Sequence, residues 1–502
     1  MSEAAELIKR FEAARTQWEL WRSLHQEAFE YAAPNRETFK LYSPGQRKNR
    51  QIFDSTAVLG LQQFANRIQG ALMPPWQKWG AFVAGDEVPE GDEEIVNQNL
   101  ELVTDRFFSS LNHSNFYTEL SPTLTDLGIG TGAILVEETP FGSAQELSFT
   151  NVPLAELYIE KPASGPVKNV WRKQSIRPWL IKQVWPEAEL KGNLAKLAEK
   201  PESKEVEIIN GFIEMPDGRF KQTVIYEAQK DILFEQTFNT QRLIVTRWTV
   251  TPGEGFGRGP IIQQLPDIKT ANKIKEFMLQ NAALQIAGVY TGVDDGIFNP
   301  HTARIAPGVI LPVGSNSNAN PSLQALSRSG DLGLGDALLT DIQEWIRKAL
   351  FADPMGDLSD PVRSATEMML RNQDMLRNSG AAFGRQKTEF IEPLAVAVID
   401  ILASRGKVPR ISIDGKEVTI KLNSPLAKAE NMEDFQNSQV WFQTVAQLPP
   451  EIVAASVKVE ELPRYWQETL GIPADLIRTD AEIEQLSNTV SQAAESGIEA
   501  GL

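Results

Sequence analysis

The chain has 502 residues, enough for roughly three domains and for a core that needs no covalent staples. It contains no cysteine, which excludes disulfide scaffolds, thiol catalysis, cysteine-ligated zinc and iron–sulfur clusters. Its 49 basic and 66 acidic residues leave a net charge of −17, which disfavours a broad grip on nucleic acid through its phosphates.

The first third reads as helix. From Glu3 to Tyr31, the residues Leu7, Phe11, Trp18, Trp21, Leu24, Ala28 and Tyr31 recur at three- and four-residue steps or their sums, which marks one face of an amphipathic helix ending before Pro34. A second helix is predicted over 54–72, opened by Asp54-Ser55-Thr56 and stopped by Pro74-Pro75. A third is predicted over about 92–111, after a turn-rich stretch. Between residues 130 and 251 the period falls towards two. Short β-branched or aromatic runs at 133–138, 147–152, 206–214, 220–228, 232–237 and 243–250 predict a largely antiparallel sheet region, interrupted by a helix and charged loop at 187–204.

A Pro/Gly cluster over 251–260 marks the sharpest boundary. Beyond it a helix is predicted over 266–287 with Pro266 as its first residue, then an irregular insert over 288–335 with strand-like runs at 289–293 and 309–313. Helix returns over 336–351, a loop follows over 352–361, and a long helical stretch is predicted over 363–404. A small hairpin is expected between 410–413 and 418–422, and the tail over 426–502 is helical in pattern. Spanning a bilayer takes about 20 apolar residues, whereas the richest run, 393–402, is short and contains Asp400. The N-terminal residues are charged throughout and lack an apolar signal core, so no membrane or secretory address is expected.

Two glycine-rich stretches invite a phosphate-loop reading: the four alternating glycines of 253–259, and Gly128-Ile-Gly-Thr-Gly132. The second leads into a strand, and the first lacks both a Walker lysine and a following βαβ alternation, so the first is read as a flexible hinge between sheet region and helix. His25, His113 and His301 belong to no metal-binding spacing, and there is no Gly-x-Ser-x-Gly elbow. No catalytic residue, cofactor or metal site is assigned, and the chain is read as a non-enzyme.

Charge is patterned. On the helix after Arg363, taken as 0°, Arg371, Arg377 and Arg385 fall near 80°, 320° and 40°, while Ala365, Met368, Met369, Met375, Leu376 and Phe383 fall between about 120° and 240°. That basic face is either solvated, with Glu367 and Arg371 in favourable i,i+4 order, or set against a neighbouring subunit or phosphates. A second basic island, Lys40, Arg47, Lys48 and Arg50, has no acid between Thr38 and Phe53. The tail over 426–502 holds 13 acidic against 4 basic residues and no base after Arg478.

The order of motifs resembles the portal, or head-to-tail connector, proteins of short-tailed, podovirus-type bacteriophages. The residues that carry this are Ile52-Phe-Asp-Ser-Thr-Ala57, Ala71-Leu-Met-Pro-Pro75 with Trp79, Arg247-Trp248, Pro252-Gly-Glu-Gly-Phe-Gly-Arg-Gly-Pro260, Leu265-Pro-Asp-Ile-Lys269, Pro307-Gly308 and Ser364-Ala-Thr-Glu-Met368. The resemblance implies an α+β portal fold, mainly helical with an antiparallel β wing region. It divides the chain into a wing (1–258), a stem helix (259–287), a clip (288–335), a second stem helix (336–351), a tunnel loop (352–362), a long wing helix with hairpin (363–425) and a helical crown (426–502). It implies a homo-oligomeric ring, usually of twelve copies, at one capsid vertex of the virion, made in the host cytoplasm. Double-stranded DNA would pass through the ring without tight binding. The terminase large subunit, a tail adaptor, and the scaffolding and major capsid proteins are the implied partners. The DNA-channel candidates are Asp353, Pro354, Met355, Asp357, Leu358 and Arg363, and the partner-binding clip candidates are Asp294, Asp295, Phe298, His301 and Arg304. Two alternatives stay open: an acidic soluble enzyme using the glycines of 253–259 for phosphate, or a structural ring protein that is not a portal.

Overall fold

The computed structural model describes residues 3–40, 42–89, 93–140, 142–163, 165–287, 290–292, 323–325, 332–352, 380, 382–411, 413, 417–422, 435, 437–447, 458, 462–463 and 465–466. Within them the chain mixes helices with antiparallel sheets around one large apolar core and a smaller satellite core.

Helix α1 (Glu3–Ala32) buries Phe11, Trp18, Trp21 and Ala28, as the spacing predicts. The Trp18 indole is anchored too, since its Nε1 donates to the Leu154 carbonyl at 3.0 Å. Helix α2 (Thr56–Leu72) starts where Asp54 Oδ1 accepts the Thr56 N–H at 3.0 Å, and it buries Leu61, Phe64, Ile68 and Leu72. Helix α3 (Glu93–Asn112) lies against strand β1 (Gly80–Ala84), whose Phe82 and Ala84 N–H groups donate to Thr104 Oγ1 and Asn97 Oδ1.

Helix α4 (Phe116–Ile129) escapes the sequence reading, because Pro122 and three threonines disguise it. Its buried Phe116, Leu120, Thr123, Leu124 and Leu127 nonetheless recur at helical steps. It feeds strand β2 (Thr131–Glu138), which sits between β3 (Leu147–Asn151) and β9 (Leu243–Arg247) in a three-stranded antiparallel sheet. A five-stranded antiparallel sheet runs in chain order through β4 (Leu157–Ile159), β5 (Val170–Ile176), β6 (Val206–Glu214), β7 (Phe220–Tyr226) and β8 (Asp231–Phe238). The short helices α5 (Ile181–Val184) and α6 (Gly192–Ala198) close a satellite core of Ile181, Trp185, Leu194, Ile208, Val224 and Leu233 over it.

Helix α7 (Pro260–Ala287) begins six residues before the expected start. Pro260 takes the first-turn position, where a missing N–H costs nothing, and Pro266 stands inside the helix on its exposed side. Strand β10 (Tyr290–Gly292) pairs with β11 (Leu323–Ala325), while the strand-like run at 309–313 lies outside the described residues. Helix α8 (Leu332–Ala349) runs antiparallel to α7: Gly335 lies beside Met278, whereas Gln343 and Arg347 share a cleft with Lys275.

Residues 353–379 lie outside the described ones, so the start of the long helix over 363–404, with Arg371 and Arg377, is not placed. Its end is placed. A π-helical turn (Lys387–Ile391) leads into α9 (Glu392–Ser404), whose Leu394, Val398, Ile401 and Leu402 are buried. Of the expected 410–413/418–422 hairpin, residues 412 and 414–416 lie outside the described ones. Strand β12 (Val418–Leu422) pairs antiparallel with β1, setting Phe82 opposite Ile420, both buried. A partner more than 330 positions away is invisible to local turn chemistry. Most of the tail over 426–502 lies outside the described residues; helix is seen at 437–445. Among the described residues no helix is long and apolar enough to cross a membrane.

Candidate functional site: the root of the two long helices

The two glycine stretches interlock. Gly259 N donates to the Ile129 carbonyl (2.8 Å), Trp248 N to the Gly130 carbonyl (2.9 Å), Arg258 N to the Thr249 carbonyl (2.8 Å) and Gly257 N to Thr131 Oγ1 (2.9 Å). A Cβ on Gly130, Gly257 or Gly259 would stand under 3.0 Å from a carbonyl of the facing segment, so only glycine lets the backbones approach this closely. The glycine cluster is therefore a packed lock at the root of α7, and the flexible-hinge expectation is corrected. The same geometry counts against a phosphate loop, since three of the N–H groups that would cradle an anion are already donated within the chain.

A buried ion pair sits on the lock. Arg247, at the end of β9, is 2% exposed and Glu389, on the π-turn, 4%. The carboxylate accepts Arg247 Nη2 at 2.7 Å, Arg247 Nε at 3.2 Å, the Arg247 backbone N–H at 3.1 Å and Arg385 Nη1 at 3.2 Å. The guanidinium also donates to the carbonyls of Gly165 (2.9 Å) and Gly255 (3.4 Å). One residue before Arg247 and three before Glu389, Thr246 Oγ1 donates to Gln386 Oε1 at 2.7 Å, and Gln386 Nε2 donates to the Arg247 carbonyl at 3.1 Å. The π-turn and the residue that caps it thus place two polar side chains, Glu389 and Gln386, against β9. Arg385, expected on a basic face, is spent on Glu389.

On the other side of α4, Asp126 accepts a bidentate pair from Arg36 (2.7 and 3.1 Å) and a bond from Asn151 Nδ2 (3.3 Å). Burial pushes the Asp126 carboxyl above its usual range, and the Arg36 guanidinium only partly offsets this.

Helix α8 ends on the same junction. Phe351 adopts a left-handed backbone (φ 53°), Ala352 N donates to the Arg347 carbonyl at 2.7 Å and Phe351 N to the Lys348 carbonyl at 3.1 Å, a Schellman cap with phenylalanine where glycine is usual. Helix α9 closes in the same way with Gly406 (φ 69°). Phe351 is held by its ring, 6.1 Å from Phe64 and 6.2 Å from Trp248, and by Arg67, which donates to its carbonyl. Trp248 also meets Phe64 at 5.1 Å and Phe383 at 6.2 Å. The last described residues before 353, the start of α7 and the π-turn are therefore fixed to one point.

Of the sequence-predicted site residues, Asp353, Pro354, Met355, Asp357, Leu358, Arg363, Asp294, Asp295, Phe298, His301 and Arg304 all lie outside the described residues. The basic island dissolves in part: Lys40 pairs with Glu30, and Lys48 donates to the Glu37 carbonyl and lies 4.7 Å from the Tyr42 ring centroid, whereas Arg47 and Arg50 stay exposed. His25 is fully buried, its ring 5.4 Å from Trp21 and 5.3 Å from Phe256, and burial, with Arg258 nearby, holds its pKa down to about 3. His113 is an exposed residue bonded to the Ser109 carbonyl. No cluster of metal-ligating residues occurs among the described residues.

The root holds the start of α7, the end of α8 and the π-turn in fixed relation and presents no catalytic constellation among the described residues. The chain belongs to the bacteriophage head-to-tail connecting proteins, the family whose pattern matches residues 4–477. This is a structural class, and its role is to connect head and tail. Over 517 aligned residues the chain is 21% identical to the probable portal protein of Bordetella phage BPP-1, covering 97% of this chain and 89% of that one. Two solved structures share 10% identity with it. One is the virion of a native gene transfer agent particle (TM-score 0.37, 86% of this chain and 94% of that one), and the other is the neck of an empty gene transfer agent particle computed with C6 symmetry (TM-score 0.38, 84% and 92%).

Proposed function

We propose that copies of this chain form the portal ring at one capsid vertex, through which double-stranded DNA is packaged and later ejected. The observation that carries this is the family match over residues 4–477, which takes in the whole root and both long helices. In this reading residues 1–258 are the wing, 259–287 and 336–351 the paired stem helices, 288–335 the clip, 352–362 the tunnel loop, 363–425 the remainder of the wing and 426–502 the crown. The ring has about twelve copies, is made in the host cytoplasm and resides in the virion. The clip, through Asp294, Asp295, Phe298, His301 and Arg304, receives the terminase large subunit and then the tail adaptor; the outer surface meets the scaffolding and major capsid proteins.

Charge supports a conduit more than a clamp. A chain with net charge −17 repels a polyanion within a Debye length of about 8 Å and so discourages it from sticking. Residues 352–361 carry Asp353, Asp357 and Asp360 and no base, so contact with DNA there is steric or apolar, through Met355 and Leu358. The test of the ring is negative-stain microscopy of the purified chain: closed rings with a hole wide enough for duplex DNA are expected, and compact monomers at every concentration tried would overturn the reading. The test of the loop is packaging efficiency. Charge reversal at Asp353 and Asp357 or truncation of Met355 lowers it, and the loop assignment fails if neither does.

A further inference from the structure

The cations on the two long helices are Lys269, Lys273 and Lys275 on α7 and Arg347 and Lys348 on α8. Three of them have an acid of the same chain: Lys269 pairs with Glu27, Lys273 with Glu276 at 2.8 Å and Lys348 with Glu344 at 2.8 Å. Lys275 and Arg347 have no ion-pair partner among the described residues, and these two line one cleft of about 430 Å³ between α2, α7 and α8. Both are half-buried. Asp54 lines the cleft as well, but its carboxylate already accepts Gln343 Nε2 at 2.5 Å and the Thr56 N–H at 3.0 Å. Two cations against one carboxylate leave the cleft positive in a chain whose net charge is −17.

Ala352 is part of the same lining and is the last described residue before 353, so the chain leaves α8 at the cleft itself. What leaves is acidic. Asp353, Asp357 and Asp360 all precede the first base, Arg363. We propose that the cleft is a carboxylate site, in which Lys275 and Arg347 hold carboxylates of residues 353–360 of the same copy. Asp353 follows the cleft wall directly, and Asp357 is at most about 18 Å of extended chain from Ala352. A tether this short presents its acids at an effective concentration on the order of millimolar, above what a free anion of the medium must reach to compete. The planar guanidinium of Arg347 suits a carboxylate through paired N–H donors, and Lys275 adds a point charge. Phe53 and Leu59, 41% and 56% exposed, flank the cations, and apolar walls strengthen a charge pair relative to open water. The inference needs only the cleft and the tether. On the ring reading it turns the acids of the tunnel loop towards the root and leaves Met355 and Leu358 to meet DNA.

The experiment uses the full chain and a zero-length carbodiimide, which joins an amine to a carboxylate only where the two touch, with the joined peptides mapped by mass spectrometry. Lys275 is expected to join to an acid within 353–360 at a yield comparable to that of the Lys269–Glu27 pair, which serves as the control. Arg347→Glu lowers that yield about tenfold by placing a repelling charge in the cleft. In the Asp353→Asn/Asp357→Asn/Asp360→Asn variant, whose folding is checked by circular dichroism, acylation of Lys275 speeds up about fivefold while that of Lys348 is unchanged. If the control pair joins and Lys275 does not, or if the triple variant leaves Lys275 reactivity within about twofold of wild type, the segment is not held there. In a mixture of isotopically light and heavy chains the joined peptides should carry a single label, and mixed labels would overturn the assignment to the same copy. Inorganic phosphate or a duplex oligonucleotide that shields Lys275 equally in wild type and triple variant would show the cleft to be an open anion site and not the seat of this segment.

Discussion

Replacing Glu389 by alanine removes the carboxylate that holds Arg247 Nε, Arg247 Nη2 and the Arg247 backbone N–H, and that also receives Arg385. The guanidinium, 2% exposed, keeps only the carbonyls of Gly165 and Gly255. Breaking a buried pair from one side typically costs about 3–5 kcal/mol, because a charge is left without compensation in a place water cannot reach. Exposed Lys78–Asp105, with both side chains more than half in solvent, is the control: Asp105→Ala costs less than about 1 kcal/mol. A paired Arg247→Met/Glu389→Met change fills the space with apolar atoms and recovers most of the loss. In a chain of this size unfolding need not be two-state. Hydrogen exchange of peptides covering residues 243–259 therefore reads the junction itself, with amide exchange accelerated about 10²- to 10³-fold in Glu389→Ala. Exchange within a factor of about 5 of wild type, roughly 1 kcal/mol, would show that the pair does not hold the root. A double variant no better than the single one would show that the cost was lost packing, not a stranded charge.

Gly257→Ala drives a Cβ into the Gly130 carbonyl and against Arg247 Cβ, with only backbone to yield, so it costs about 3 kcal/mol or more; Gly70→Ala, on a helix with open space around it, stabilises by up to about 1 kcal/mol. Thermal midpoints of the two variants should move in opposite directions, and a neutral Gly257→Ala would disprove the interlock. At Phe351 both Phe351→Ala and Phe351→Gly lose the ring contacts with Phe64 and Trp248, but alanine keeps the left-handed penalty, so glycine is the more stable of the two by about 1 kcal/mol in urea titration. For His25 the folded pKa of about 3 lies below the unfolded value of 6.5, so the unfolded chain takes up the extra proton between those pH values. Its contribution is nil above pH 6.5 and destabilising as pH falls, by about 1.4 kcal/mol per unit down to pH 3. His25→Met flattens stability against pH in that window, and an unchanged slope would mean that the ring is not held neutral.

Elements with a strong local period were legible. The α1 stripe, the strands at 206–214 and 220–226, and the helices at 93–112 and 332–349 all follow from apolar spacing and end at turn residues. What escaped was set by partners remote in sequence. Helix α4 was hidden by Pro122, tolerated because its apolar face is clamped under Phe64 and Phe149. Strand β5 follows Val170 and Trp171 directly with two charged residues that find partners in the fold, Arg172 with Glu156 and Lys173 with Glu207 and Glu227, so its charges read as loop. The root was half legible. Both glycine stretches and Arg247-Trp248 stood out, yet their meaning lay in facing each other across more than 100 residues, and nothing local to Glu389 marks it as the counter-ion of Arg247.

The glycine lock also bears on where motion can reside. Its closest contacts are backbone against backbone, and its charges are satisfied within the chain, so the root has neither side-chain slack nor an exposed salt-sensitive pair through which to yield. Surface ion pairs such as Lys78–Asp105 and Lys348–Glu344 are different: both side chains of each are more than half exposed, so they weaken with salt. On the proposed reading a conduit for DNA needs this division. Each copy stays rigid where its helices are rooted, while adjustment between copies falls to the contacts that exchange cheaply with water. The −17 charge then reads as consistent with passage rather than as an argument against DNA, because exposed cations on α7 are paired with acids of the same chain, Lys269 with Glu27 and Lys273 with Glu276, instead of being left for phosphates.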